Sequence, residues 1–116
     1  MELERHRSPD GVLNLVVRRE GSDLVVGFEG TSSHTHGDVL IGEYEGIGET
    51  LSSADAAVRR YVADILSNRL KIRIYRLGGS IRDVSALPYE TGDESKHLVP
   101  GENVEVRYWN GVNVGD

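Results

Sequence analysis

The chain has 116 residues, with 19 acidic against 13 basic side chains, a formal net charge of −6 and no cysteine. That length suits one domain around one core, and 38% hydrophobic with 28% charged residues is the balance of a folded protein and not of a disordered one. The charge has the wrong sign for a binder of nucleic acid, the lack of cysteine rules out disulfide and thiolate chemistry and fits a cytoplasmic setting, and no apolar run approaches the roughly 20 residues that span a bilayer.

Residues 1–10, beginning MELERHRSPD, are polar, lack the apolar segment of a signal peptide and run into the turn sequence Ser8-Pro9-Asp10-Gly11. They are expected to form a flexible arm, leaving 11–116 as a single α+β domain. VLNLVVRRE predicts a strand over Val12–Arg19, and LVVGFEG predicts its hairpin partner over Leu24–Glu29, across the break at Gly21-Ser22-Asp23. Leu24, Val26 and Phe28 share one side at period two and are read as the core face. Val39–Tyr44 is expected as a short third strand, since Gly42, Gly46 and Gly48 disfavour anything longer.

The helix is the clearest element. In TLSSADAAVRRYVADILSN, Leu51, Ala54, Val58, Tyr61, Val62, Ile65 and Leu66 form an apolar stripe at 3.6-residue spacing. Ser52 or Ser53 serves as the N-cap, Asp55 suits the first turn, and Asn68 is a plausible stop. Arg59, Arg60 and Asp64 are assigned to the opposite, solvent side. RLKIRIYRL alternates strictly, with Leu70, Ile72 and Ile74 on the core side and Lys71, Arg73 and Tyr75 on the other. Gly78-Gly79 turns this strand into SIRDVSAL. A long polar loop, Pro88–Gly101, precedes NVEVRYW, where Val104, Val106 and Tyr108 are read as inward and Glu105, Arg107 and Trp109 as outward. Asn110-Gly111 signals a type I′ turn into a stub of return strand. The expected architecture is an antiparallel or mixed sheet of about five strands with one long amphipathic helix on one face.

Among chemical motifs, His34-Thr35-His36-Gly37-Asp38 comes first. Formally it is H-x-H-x-D, similar to the opening ligands of the metallo-β-lactamase fold, and in extended backbone His34, His36 and Asp38 would project to one side. That family's motif continues with a histidine where Val39 stands here, and it needs later ligands and a chain about twice as long. His97 could complete a site, but nothing in the sequence requires it. A polar loop is the preferred reading, and a small metal-binding protein of hydrolytic type, using His34, His36 and Asp38, is the alternative.

GIGETL starts a G-x-G-x-x-G pattern and fails at Leu51, among carboxylates that would repel a phosphate. Ser80 lies between two strands, not at a strand-to-helix elbow. No cofactor is expected. Asp38, Glu43, Glu45 and Glu49 make an acidic cluster suited to a basic partner, and Tyr75 and Trp109, with Arg73 and Arg107 beside them, have the composition of interface anchors.

VVGFEG, HTHGD, the amphipathic helix, RLKIRIYRLGG and the terminal GENVEVRYWNG together resemble small bacterial proteins, including the single-domain immunity proteins encoded beside polymorphic toxins. The resemblance spans most of the chain and carries no residue role. It implies an intracellular protein that blocks a toxin by surface complementarity. The sequence therefore points to a non-catalytic protein-binding domain, with Asp38, Glu43, Glu45 and Glu49 supplying the field and Tyr75 and Trp109 the anchors. It leaves the oligomeric state open.

Overall fold

A computed structural model describes residues 1–89 and 98–114. In chain order the elements are β1 (Glu2–Arg7), β2 (Asn14–Glu20), β3 (Asp23–Phe28), β4 (His34–His36), α1 (Gly37–Glu45), α2 (Ala54–Leu66), β5 (Ile72–Leu77), β6 (Ser80–Ala86) and β7 (Glu102–Arg107). The class is α+β as expected. The expected single sheet with one helix is instead two antiparallel sheets, of four strands in the order β1-β2-β3-β4 and three in the order β6-β5-β7, with two helices.

The first hairpin forms where the sequence places it. Leu15 opposes Phe28 and Val17 opposes Val26, across a two-residue turn in which Gly21 takes φ 63°. Leu15, Val17, Leu24, Val26 and Phe28 make the core face, each at most 5% exposed.

Residues 1–10 are not a free arm. Glu2–Arg7 pairs antiparallel with β2, Arg5 opposite Val16 and His6 opposite Leu15. An edge strand needs no apolar face when ion pairs hold it and charge guards its open side, which is why its pattern is unreadable in sequence. Arg5 pairs with Glu2 and Glu29, and Glu4 with Arg59 of α2. The turn at Ser8–Gly11 is built as expected. Ser8 Oγ donates to Asp10 (2.7 Å) and accepts from the Leu13 amide (3.0 Å), and Gly11 takes φ 77°.

The expected strand over Val39–Tyr44 is helical. Leu40 and Tyr44, one turn apart, are both fully buried, so the segment follows the i, i+4 rule and not alternation. Gly37 accounts for the position of this helix. A Cβ there would lie 2.4 Å from the carbonyl oxygen of Ala54, so only glycine lets the start of α1 touch the start of α2.

The second helix matches its sequence signals. Ser53 caps it, accepting from the Ala56 amide at 3.1 Å. At its end Asn68 adopts φ 64°, the Arg69 amide bonds the Asp64 carbonyl and the Asn68 amide bonds that of Ile65, a Schellman closure. Ala57, Val58, Tyr61, Val62 and Ile65 enter the core. Asp64, assigned to solvent from the sequence, is 4% exposed because α1 covers it. Tyr44 Oη donates to Asp64 at 2.8 Å and Arg60 Nε at 3.0 Å, with the Arg60 guanidinium 5.4 Å from the Tyr44 ring centre.

In the three-stranded sheet Ile72, Ile74, Val84 and Ala86 face the same core, and Gly78-Gly79, at φ 62° and 84°, make the expected tight turn. The final strand is turned over relative to the sequence reading. Ile72 opposes Arg107 and Ile74 opposes Glu105. Cross-strand partners share a face, so Arg107 stands on the core side and Val104, Val106 and Tyr108 on the outer side. Arg107 is tolerated there because Asp10, from the β1–β2 turn, accepts from its Nη1 at 2.6 Å and Nη2 at 3.2 Å. Trp109 follows it inward, 6% exposed and part of the hydrophobic cluster. The turn after it is a three-residue loop, not a two-residue type I′. The Gly111 amide bonds the Tyr108 carbonyl, the Tyr108 amide bonds Val112, and only Gly111 of the pair takes positive φ, at 91°. The return stub is a single bridge, Arg107 to Asn113. Contacts that tie the two sheets and the helices together include Asp10–Arg107, Ser33–Asp83, and Tyr61 Oη to the Ala86 carbonyl.

Candidate interaction site

The acidic cluster is divided by the helix that carries it. Asp38 and Glu45, seven residues apart on α1, lie on one exposed side. Asp38 sits in the first turn, where the helix dipole favours a carboxylate. Glu43 turns the other way and is half-buried. Burial pushes its carboxyl pKa up, and its charge in turn helps to raise the Tyr61 phenol, whose main cause is desolvation. Glu49 is engaged by Arg60 Nη2 at 3.0 Å. So Asp38 and Glu45 share the exposed side of α1, while Glu43 is partly buried and Glu49, still about half exposed, pairs with Arg60.

Near these carboxylates are exposed apolar side chains that the sequence reading missed. Val39 is 50% exposed on α1, and Ile47, just past its end, is 47% exposed. Gly42 lies on the same side with nothing within 4 Å of where a Cβ would be. The exposed part of α1 and the turn after it therefore carry both apolar and acidic side chains. The i, i+4 spacing of Leu40 and Tyr44 was the available signal, because once those two face inward, Val39 and Gly42 must face out.

The histidines form a second feature. β4 pairs with β3, His34 opposite Gly27 and His36 opposite Val25, so both imidazoles lie on the sheet face away from the helices. Their ring centres are 5.2 Å apart, edge to face. His34 Nδ1 is 3.1 Å from the Ser32 carbonyl oxygen. His34 alone of the two lines a cavity of about 320 Å³, with Arg5, Val16, Arg18 and Gly27. Asp38 does not continue this extended row, because the helix has already begun at Gly37. Among the described residues no group of three His, Asp or Glu side chains could hold a metal ion; His97 lies outside them.

The expected aromatic patch is only half assembled. Tyr75 is on the outer face of the three-stranded sheet, half-buried, with the Arg82 guanidinium 5.9 Å from its ring centre. Trp109 and Arg107 are buried on the opposite side, so Trp109 is a core residue and not a surface anchor. Tyr108 takes the outer position instead, on the same face as Lys71 and Arg73.

Compared with known proteins, the chain matches no family model, no curated protein and no solved structure.

Proposed function

We propose that the protein is a non-catalytic protein-binding domain that engages a basic protein partner through the exposed side of α1. The observation that carries this is the exposure of Val39 on α1 and of Ile47 just past its end, each about half exposed, together with the exposed carboxylates of Asp38 and Glu45 on the same helix. Apolar side chains give an interface its affinity once water is excluded. The carboxylates steer a basic partner and repel acidic ones, in keeping with a net charge of −6. The resemblance to immunity proteins supplies the form of the activity: a cytoplasmic protein that neutralises a toxin by occupying its basic surface, with no nucleic acid among its partners. No helix of the described residues is long and apolar enough to cross a membrane.

The test is a titration of the partner, identified by affinity capture and then purified, against the wild type, Val39→Asp and the double variant Asp38→Lys/Glu45→Lys. All three retain the core, since each changed side chain is exposed. Affinity should fall by about tenfold or more in both variants, the loss in the charge variant shrinking as salt rises. Unchanged affinity in both would remove this surface from the function.

A further inference from the structure

The outer face of the three-stranded sheet holds an electrostatic anomaly. In a chain with six more acidic than basic side chains, Arg69, Lys71 and Arg73 line a single concavity of about 300 Å³. The pleat explains the spacing. Lys71 and Arg73 are two residues apart and share the outer face of the β5 segment, while Arg69 reaches in from the turn that ends α2. Tyr108, next to the β7 end, and Tyr89 stand at the rim, with Ile47, Leu87 and Pro88 as apolar wall. Arg73 lines the concavity and is itself buried, at 4% exposure.

We infer that this concavity is a binding site for a small phosphomonoester, with the phosphate on Arg73 and Lys71 and the organic group between the tyrosines. Three cations match a phosphate dianion better than a lone carboxylate. The planar fork of an arginine presents paired donors to phosphate oxygens, and a lysine adds a mobile point charge. An apolar wall with a few convergent polar groups is the usual composition of a small-molecule site, and the volume is at the small end of such sites. Arg69 lies 3.6 Å from Asp64, and Lys71 and Arg73 each have an interaction within the protein, so the ligand has to compete with these contacts. The site shares Ile47 with the α1 surface, but Asp38, Val39 and Glu45 take no part in it.

Calorimetry and amide chemical-shift mapping with AMP, adenosine and inorganic phosphate test this directly. AMP should bind more tightly than adenosine, inorganic phosphate should compete with it, and shifts should centre on residues 69–73, 89 and 108. Lys71→Glu and Arg69→Glu, both at accessible positions, should weaken AMP about tenfold or more while leaving the melting transition cooperative. Should a variant fail to fold, competition by inorganic phosphate and the fall of AMP affinity with salt on the wild type decide the matter. The inference is overturned if neither AMP nor phosphate perturbs these residues at millimolar concentration, if adenosine binds as well as AMP, or if the folded variants bind AMP unchanged.

Discussion

Tyr44 and Asp64 meet phenol to carboxylate at 2.8 Å across the contact between the two helices, both almost wholly removed from water. Desolvation raises the Tyr44 pKa first, and the hydrogen bond to Asp64 adds to it. The phenol therefore stays a donor, and the buried carboxylate has Tyr44 and Arg60 to satisfy it. Tyr44→Phe should cost about 2 kcal/mol in urea denaturation, the range for a hydrogen bond to a charged group. Asp64→Ala should cost more, about 3 kcal/mol or above, since it strands the phenol and Arg60 together. Equal stability of wild type and Tyr44→Phe would show that the bond contributes nothing to the helix pairing.

Two glycines of α1 should respond to the same substitution with opposite signs. Gly37→Ala places a methyl 2.4 Å from the Ala54 carbonyl oxygen, backbone that has nowhere to go, and should destabilise by about 2 kcal/mol or more. Gly42→Ala meets nothing within 4 Å in a helix interior and should stabilise by about 0.5–1 kcal/mol. Thermal melts of the two variants against wild type check this.

Acid should loosen the Asp10–Arg107 joint between the sheets and the Glu102–Arg82 pair within the smaller one. The Arg107 guanidinium holds the Asp10 carboxyl well below the ordinary aspartate range, with Ser8 and the Val12 amide helping, and Arg82 lowers Glu102 in the same way. A carboxyl whose folded pKa is depressed adds stability that is fully present above its unfolded value, near 4, and is lost as pH falls through the folded one. Melting temperature should therefore drop as pH falls from about 5 toward 2. Asp10→Asn should be less stable at neutral pH and show a shallower drop. A parallel profile for Asp10→Asn would show that this pair does not couple folding to pH. Glu43, raised by burial, works in the other direction, so Glu43→Gln should be neutral or stabilising at pH 7.

Trp109 is the single tryptophan of the chain and lies in the core. Its emission should be blue-shifted and poorly quenched by acrylamide in the native protein, and should shift to the red on unfolding. Trp109→Ala should cost about 3–5 kcal/mol, as deletion of a large buried ring does. Native emission already at the solvent-exposed position would contradict the inward setting of the last strand.

Local pattern determined the elements whose packing partner is local. The β2–β3 hairpin, its core face, the capped helix α2 and the β5–β6 hairpin are written in alternation, in 3.6-residue stripes and in the glycines of their turns. Tertiary structure decided the rest, each time through a contact with a residue far along the chain. Glu2–Arg7 is a strand because Glu29 and Arg59 hold its charges. Gly37–Glu45 is a helix because Leu40 and Tyr44 have α2 to bury against and Gly37 can touch Ala54. β7 presents Arg107 to the core because Asp10, 97 residues earlier, neutralises it. The same long-range contacts split the acidic cluster, drew Trp109 inside and exposed Val39. A single sequence shows which side chains share a face, but burial and charge pairing between distant segments decide which face meets water.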